Sequence, residues 1–168
     1  MTLFIGGSHI YPTKKFDNEQ RLIEHCLRHA RVQSQMMLRE DIMGAIGWCA
    51  FDYNTHSDFG SWDKICYHGV MDMYRIPKFA SYVYKSQLSP TKEVVLEPVT
   101  YFSRGEKDRG AVAPVVVMTN CDYVELVIGG SIAFWIKTKA NLQAGRAKIT
   151  VKSLNTMIVD KVLDINIK

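Results

Sequence analysis

Apolar residues in the first forty positions recur at the spacing of one helix face. Leu22, Ile23, Cys26, Leu27 and Ala30 form the stripe, and Asp17-Asn18-Glu19-Gln20 ahead of them has the spacing of a capping box. Together they predict a helix from about residue 18 to about residue 37. The run Gly44 to Ala50 (GAIGWCA) is short and nearly all apolar, which suits a strand buried on both faces, as in a parallel sheet. A helix followed by such a strand is an α/β signature. The next stretch, Asp52 to Asp72, is irregular and dense in aromatic, acidic and imidazole side chains, the content of a functional loop. Pro77 then stands where a first helical turn accepts it, and Phe79, Ala80, Val83 and Tyr84 give an apolar face to a helix of about ten residues ending near Gln87.

From Glu93 onward the period changes to two. Val115 to Met118 form one apolar run, and Val124, Leu126 and Ile128 alternate with Tyr123, Glu125 and Val127. Gly129-Gly130 offers a tight turn, after which Ile132, Phe134 and Ile136 alternate again. Ile149 and Val151, flanked by Lys148 and Lys152, predict a further strand. The expected fold class is therefore α/β followed by all-β, with a partial antiparallel β-sandwich in the second half. The boundary is expected near Ser89-Pro90-Thr91.

Composition narrows the function classes without selecting one. The 168 residues are 47% hydrophobic and 23% charged, the make-up of a folded globular protein. The net charge of +4 is spread along the chain with no basic run, so a nucleic-acid partner is not expected. No apolar stretch approaches the roughly 20 residues of a membrane span, and the first residues lack the marks of a signal peptide. No membrane partner and a cytoplasmic location are expected. Cys26, Cys49, Cys66 and Cys121 lie far apart with no CxxC pair, which predicts buried free thiols and neither a zinc knuckle nor a redox motif. His25 and His29 have the i, i+4 spacing of metal ligands, yet no glutamate stands between them. A solvated or loop-packing helix face is the expected reading.

Several separated motifs resemble one family in its own order. Gly44-Ala-Ile-Gly-Trp48-Cys-Ala-Phe-Asp52-Tyr-Asn-Thr-His56 is followed by Phe59-Gly60-Ser61, by Cys66-Tyr-His68-Gly69-Val-Met-Asp72 and by Arg75-Ile-Pro77-Lys78. Tyr84-Lys-Ser86-Gln87 and Thr119-Asn120-Cys121-Asp122 through Leu126 continue the series, and His9-Ile-Tyr11-Pro12-Thr13-Lys14 with Phe16-Asp17 precede it. Over about residues 8 to 128 the chain resembles the end of the catalytic barrel of family 2 glycoside hydrolases of the β-galactosidase type. The resemblance implies a fragment. Residues 1–88 would be the C-terminal part of a (β/α)₈ barrel, its last strand and flanking helices, and 89–168 an Ig-like β-sandwich domain.

The family hydrolyses terminal β-galactosides with retention, using one carboxylate as general acid/base and another as nucleophile. By this alignment the nucleophile position falls at Ile5, and the acid/base belongs to barrel absent from this chain. No catalytic residue is therefore expected here. Substrate binding would fall to Trp48, stacking on the sugar's C–H face, to His68 near the hydroxyls or a bound cation, and to His9 beside the nucleophile position. Tyr67-His68-Gly69 stands where the glucuronidase branch carries an Asn-x-Lys clamp, favouring a neutral hexoside. Asp52, Asn54, His56 and Asp58 are expected mainly to shape the loop. No metal site and no cofactor are expected in this stretch, although members of the family can use divalent or sodium ions. The implied partners are a β-galactoside or related saccharide, with either the missing barrel portion or a second copy in a homo-oligomer. The alternative reading is a non-catalytic carbohydrate-binding module or the small subunit of a split glycosidase.

Overall fold

The computed structural model describes residues 4–5, 11–55, 62–101, 116–120, 123–128, 131–132, 145–152 and 159–167. The chain divides into two compact units, Met1–Tyr84 and Lys85–Lys168.

In the first unit the short strand β1, Phe4–Ile5, precedes the helix α1, Glu19–Met37. The helix forms where the apolar spacing predicts it, but the capping box is not made. Asn18 is the cap, its Oδ1 accepting the Arg21 N–H at 2.8 Å, and a helix that starts there has Arg21 at the third position, with no acceptor to return the bond. Asp17 instead accepts the Lys14 N–H at 2.7 Å. Leu22 and Cys26 are buried as the pattern implies, and His25, His29 and Gln33 complete the buried stripe. Of the solvated or loop-packing face expected for His25 and His29, the solvated alternative is corrected, because both rings are buried with polar partners.

The run around Gly44 to Ala50 yields only β2, Ile46–Gly47, paired in parallel with β1 through Phe4↔Ile46 and Ile5↔Gly47. The parallel pairing is as expected. The burial on both faces is not, since Ile46 is 66% exposed. Among the described residues β2 has no neighbour but β1, and burial on both faces requires helices or strands covering each side. The stretch after it, read as an irregular loop, contains an antiparallel pair, β3 (Tyr53–Asn54) with β4 (Ile65–Cys66). The helix α2 spans Phe79–Lys85, buries Phe79, Ala80 and Val83, and is shorter than the expected ten residues. Pro77 lies outside it, bridged to Met71, and the Lys78 N–H is taken by the Val70 carbonyl at 3.0 Å.

In the second unit β5 (Leu96–Pro98) pairs antiparallel with β6 (Val117–Thr119). Asn120 secures this pair. Its Oδ1 accepts the Val95 N–H at 2.9 Å, and its Nδ2 donates to the carbonyls of Leu88 at 2.7 Å and Glu93 at 2.8 Å. The remaining strands are β7 (Tyr123–Ile128), β8 (Ser131–Ile132), β9 (Gly145–Lys152) and β10 (Val159–Ile167). They form one antiparallel sheet in the order β10-β9-β7-β8. The hairpin expected at Gly129-Gly130 is consistent with the flanking pairs Ile128↔Ser131 and Val127↔Ile132, although the two glycines lie outside the described residues, as do Phe134 and Ile136. β10 was not expected from the alternation. Its register shifts between Val159 and Lys161, yet beyond that shift Leu163, Ile165 and Ile167 alternate with Asp164 and Asn166, a period the sequence reading did not use.

Candidate functional site

Residues 48 to 52 leave the end of β2 and run beside residues 68 to 71. The Cys49 N–H donates to the His68 carbonyl at 3.3 Å, the Val70 N–H to the Cys49 carbonyl at 3.0 Å, and the Met71 N–H to the Ala50 carbonyl at 3.0 Å. A parallel bridge joins Phe51 to Met71. This ladder brings Trp48 and His68 onto neighbouring strands of backbone although twenty residues of sequence separate them. The peptide bond between Trp48 and Cys49 is cis.

The two residues differ in exposure. Trp48 is 49% exposed, and His68 is buried. An indole half in water at the end of a strand has a flat apolar face available to a ligand, whereas a buried imidazole is held by its surroundings. His9 lies outside the described residues. Ile5 is paired with Gly47, one residue before Trp48.

Beneath these segments sits a buried ion pair, Lys78 Nζ to Asp52 Oδ1 at 2.6 Å, with both side chains essentially out of water. Lys78 Nζ also donates to the Thr13 carbonyl at 2.6 Å, and Asp52 Oδ1 also accepts the Gly69 N–H at 2.8 Å. Burial pushes the Asp52 carboxyl up and the Lys78 ammonium down from their ordinary values, and the charge of each partner opposes both shifts. Gly69 is required here. A Cβ on it would run into the backbone of Phe51, Asp52 and Met71. Asp52 therefore shapes the loop, as its sequence context implies, through a lysine that the sequence did not single out.

The loop is closed further out by Asp63 and Asp72. Tyr67 Oη donates to the Asp63 carboxylate, and Lys14 Nζ lies 4.6 Å from the centroid of the Tyr67 ring. Asp72 Oδ1 accepts the N–H groups of Tyr74 and Ile76, both at 2.8 Å, in a turn where Arg75 has φ of 66°.

A second polar cluster backs β2. His25 Nε2 and His29 Nε2 are 3.3 Å apart, and His29 Nδ1 is 2.8 Å from Tyr84 Oη. Burial first, with the charges of His29, Lys78, Arg21 and Arg28 adding to it, lowers the His25 pKa to about 3; burial lowers that of His29 to about 4. Both rings are neutral at ordinary pH. The Tyr84 hydroxyl occupies the space that a side chain on Gly47 would need. Among the described residues no group of three or more His, Cys, Asp or Glu side chains converges as a metal site. Cys26, Cys49 and Cys66 are free thiols, the first and last buried, and burial raises the Cys26 thiol to about 12. No helix among the described residues is long and apolar enough to cross a membrane.

Comparison with known proteins finds beta-galactosidases and glycosidase structures that are similar to this chain. No protein-family model matches the chain. It is 67% identical over 123 residues to a beta-galactosidase of Thermoanaerobacterium thermosulfurigenes, covering 73% of this chain and 17% of that protein. A beta-galactosidase of Rhizobium meliloti is 46% identical over 124 residues, again 73% of this chain and 16% of the relative. The chain thus spans about a sixth of the length of these relatives. Among solved structures, a beta-glycosidase from Bacteroides vulgatus has a TM-score of 0.63 over 82% of this chain and 18% of its own, at 20% identity, a likeness of fold.

Proposed function

We propose that this chain belongs with the glycoside hydrolases, as a stretch of the β-galactosidases it matches, and that it forms one wall of a galactoside pocket. In this reading residues 1–88 are the end of a family 2 catalytic (β/α)₈ barrel, and 89–168 belong to the Ig-like β-sandwich that follows it. The observation that carries the reading is Trp48, half exposed directly after a parallel strand, with the His68 backbone bonded to the residue beside it. Ends of barrel strands are where residues face the pocket of such enzymes. Trp48 would stack on the sugar, and His68 would hold the loop beside it or meet its hydroxyls.

The reaction proposed for the whole enzyme is retaining hydrolysis of terminal β-galactosides. That reaction needs two carboxylates about 5 Å apart. Ile5, beside Gly47 in the β1–β2 pair, occupies the proposed nucleophile position, and isoleucine cannot attack an anomeric carbon. The chain alone is then expected to show no turnover of an aryl β-galactoside above a buffer blank. Turnover above that blank would refute this alignment. Grafted into an intact relative in place of the matching stretch, with that relative's own nucleophile retained, Trp48→Ala should weaken binding of a galactoside inhibitor about tenfold while leaving the melting temperature nearly unchanged. Unchanged affinity with a strongly lowered melting temperature would make Trp48 a packing residue.

A second reading, the small subunit of a split glycosidase, is favoured by one observation. Met43, Ile46, Trp62, Tyr74 and Ile76 are all large, apolar and exposed in the first unit. A complementary polypeptide carrying the rest of the barrel would cover such residues. Neither reading invokes a cofactor.

A further inference from the structure

Charged side chains are rarely withdrawn completely from water, and the pairs that are tend to be replaceable by apolar residues of similar volume without loss of stability. The Asp52–Lys78 pair is withdrawn in this way, and it is placed at the meeting point of four stretches of chain. Through Nζ, Lys78 holds the Thr13 carbonyl and Asp52, and through its backbone N–H it holds Val70. Through Oδ1, Asp52 holds the Gly69 N–H, next to His68, and it lies four residues after Trp48. The backbone ladder from Cys49 to Met71 fixes these two segments against each other. The ion pair adds a fixed point at its far end, referred to the Thr13 segment.

We infer that Asp52 and Lys78 are positioning residues, which set Trp48 and His68 at the separation a sugar ring requires. The function of that separation rests on the galactoside reading given above, but the positioning itself does not. An apolar pair would fill the same volume while leaving the Gly69 N–H and the Thr13 carbonyl without these partners. A charge-assisted bond has a short, directional optimum, and a methyl contact has none.

The test uses the full chain with Trp62→Phe and Trp135→Phe, so that Trp48 is the sole tryptophan and is excited selectively over the tyrosines. Four forms are compared: this parent, Asp52→Leu, Lys78→Met, and the double variant carrying both. Melting temperature, Trp48 emission maximum with its quenching by acrylamide, and the His68 ring resonances, assigned with His68→Gln, are measured for each. Either single variant should melt well below the parent, because it leaves one buried charge without its counter-charge. In the double variant the melting temperature should return most of the way, while Trp48 emission and the His68 resonances stay displaced. Their return to parental values together with the melting temperature would overturn the inference, making the pair ordinary packing. Grafted into an intact relative, where the pocket is complete, the same substitutions are tested with isopropyl β-thiogalactoside by calorimetry. The graft carrying both should bind it about tenfold more weakly than the graft carrying neither. No binding by the latter would count against the galactoside reading alone, since the emission and resonance data decide the positioning role without it.

Discussion

The two units are held together by opposite means. In the first, the described strands are two residues long, and the geometry depends on buried polar side chains that each tie distant segments, as Lys78 ties residues 13, 52 and 70. In the second, strands of six, eight and nine residues make a continuous antiparallel ladder of backbone bonds. The ladder distributes its stability over many equivalent bonds. The buried ties concentrate it in a few, which fixes side-chain positions finely and makes each tie costly to lose.

Acidification should separate the units most clearly. The folded pKa values of His25 and His29, about 3 and about 4, lie below the ordinary value of about 6.5. Their contribution is therefore complete above that ordinary value and is lost as pH falls toward the folded values. At pH 5 each should cost the first unit about 2 kcal/mol. Amide hydrogen exchange at pH 7 and pH 5, corrected for intrinsic rates, should show protection lost in α1 and kept in β9 and β10. Equal loss in both would erase the proposed contrast.

Gly69→Ala comes next. The added methyl meets backbone on three sides, so the change should cost about 2 to 3 kcal/mol in urea unfolding of the first unit. A loss under about 0.5 kcal/mol would mean that the loop yields easily and that its position is not fixed as argued. The smallest effect is expected from Asn120→Ala, which removes three hydrogen bonds around β5 and β6 and should cost about 1 to 2 kcal/mol. This tie is the second unit's own example of the first unit's construction. Exchange should quicken at Val95 while the β9–β10 pair keeps its protection.

What the sequence made legible follows the same division. The helix α1 could be read because nineteen residues repeat one spacing and Asn18 marks the start, and β7 could be read from plain alternation. The capping box failed because two candidate caps stand side by side, and only the structure shows that Asn18, not Asp17, bonds the helix. Pro77 was placed inside α2 by a statistical preference, whereas the chain uses it in a bridge to Met71. The β3–β4 pair joins segments too short to carry a period. At the candidate site, Trp48 and His68 were found through the motif that surrounds them. Lys78 was quoted within that motif but given no role. Its partners lie 26 and 65 positions away, and nothing local distinguishes a lysine bound for the interior from one bound for solvent. His25 and His29 were misread for the same reason, since Tyr84 reaches them from 55 residues on.

The contact between Gly47 and Tyr84 bears on how this stretch of chain can change over time. The tyrosine hydroxyl occupies the place where any other residue at 47 would put its first carbon, and that hydroxyl is also the outer end of the histidine pair. A side chain at 47 requires the phenol to move aside, and removing the phenol takes a hydrogen-bond partner from His29. Substitutions at the three positions are therefore expected to be coupled, each tolerated better when another has already changed.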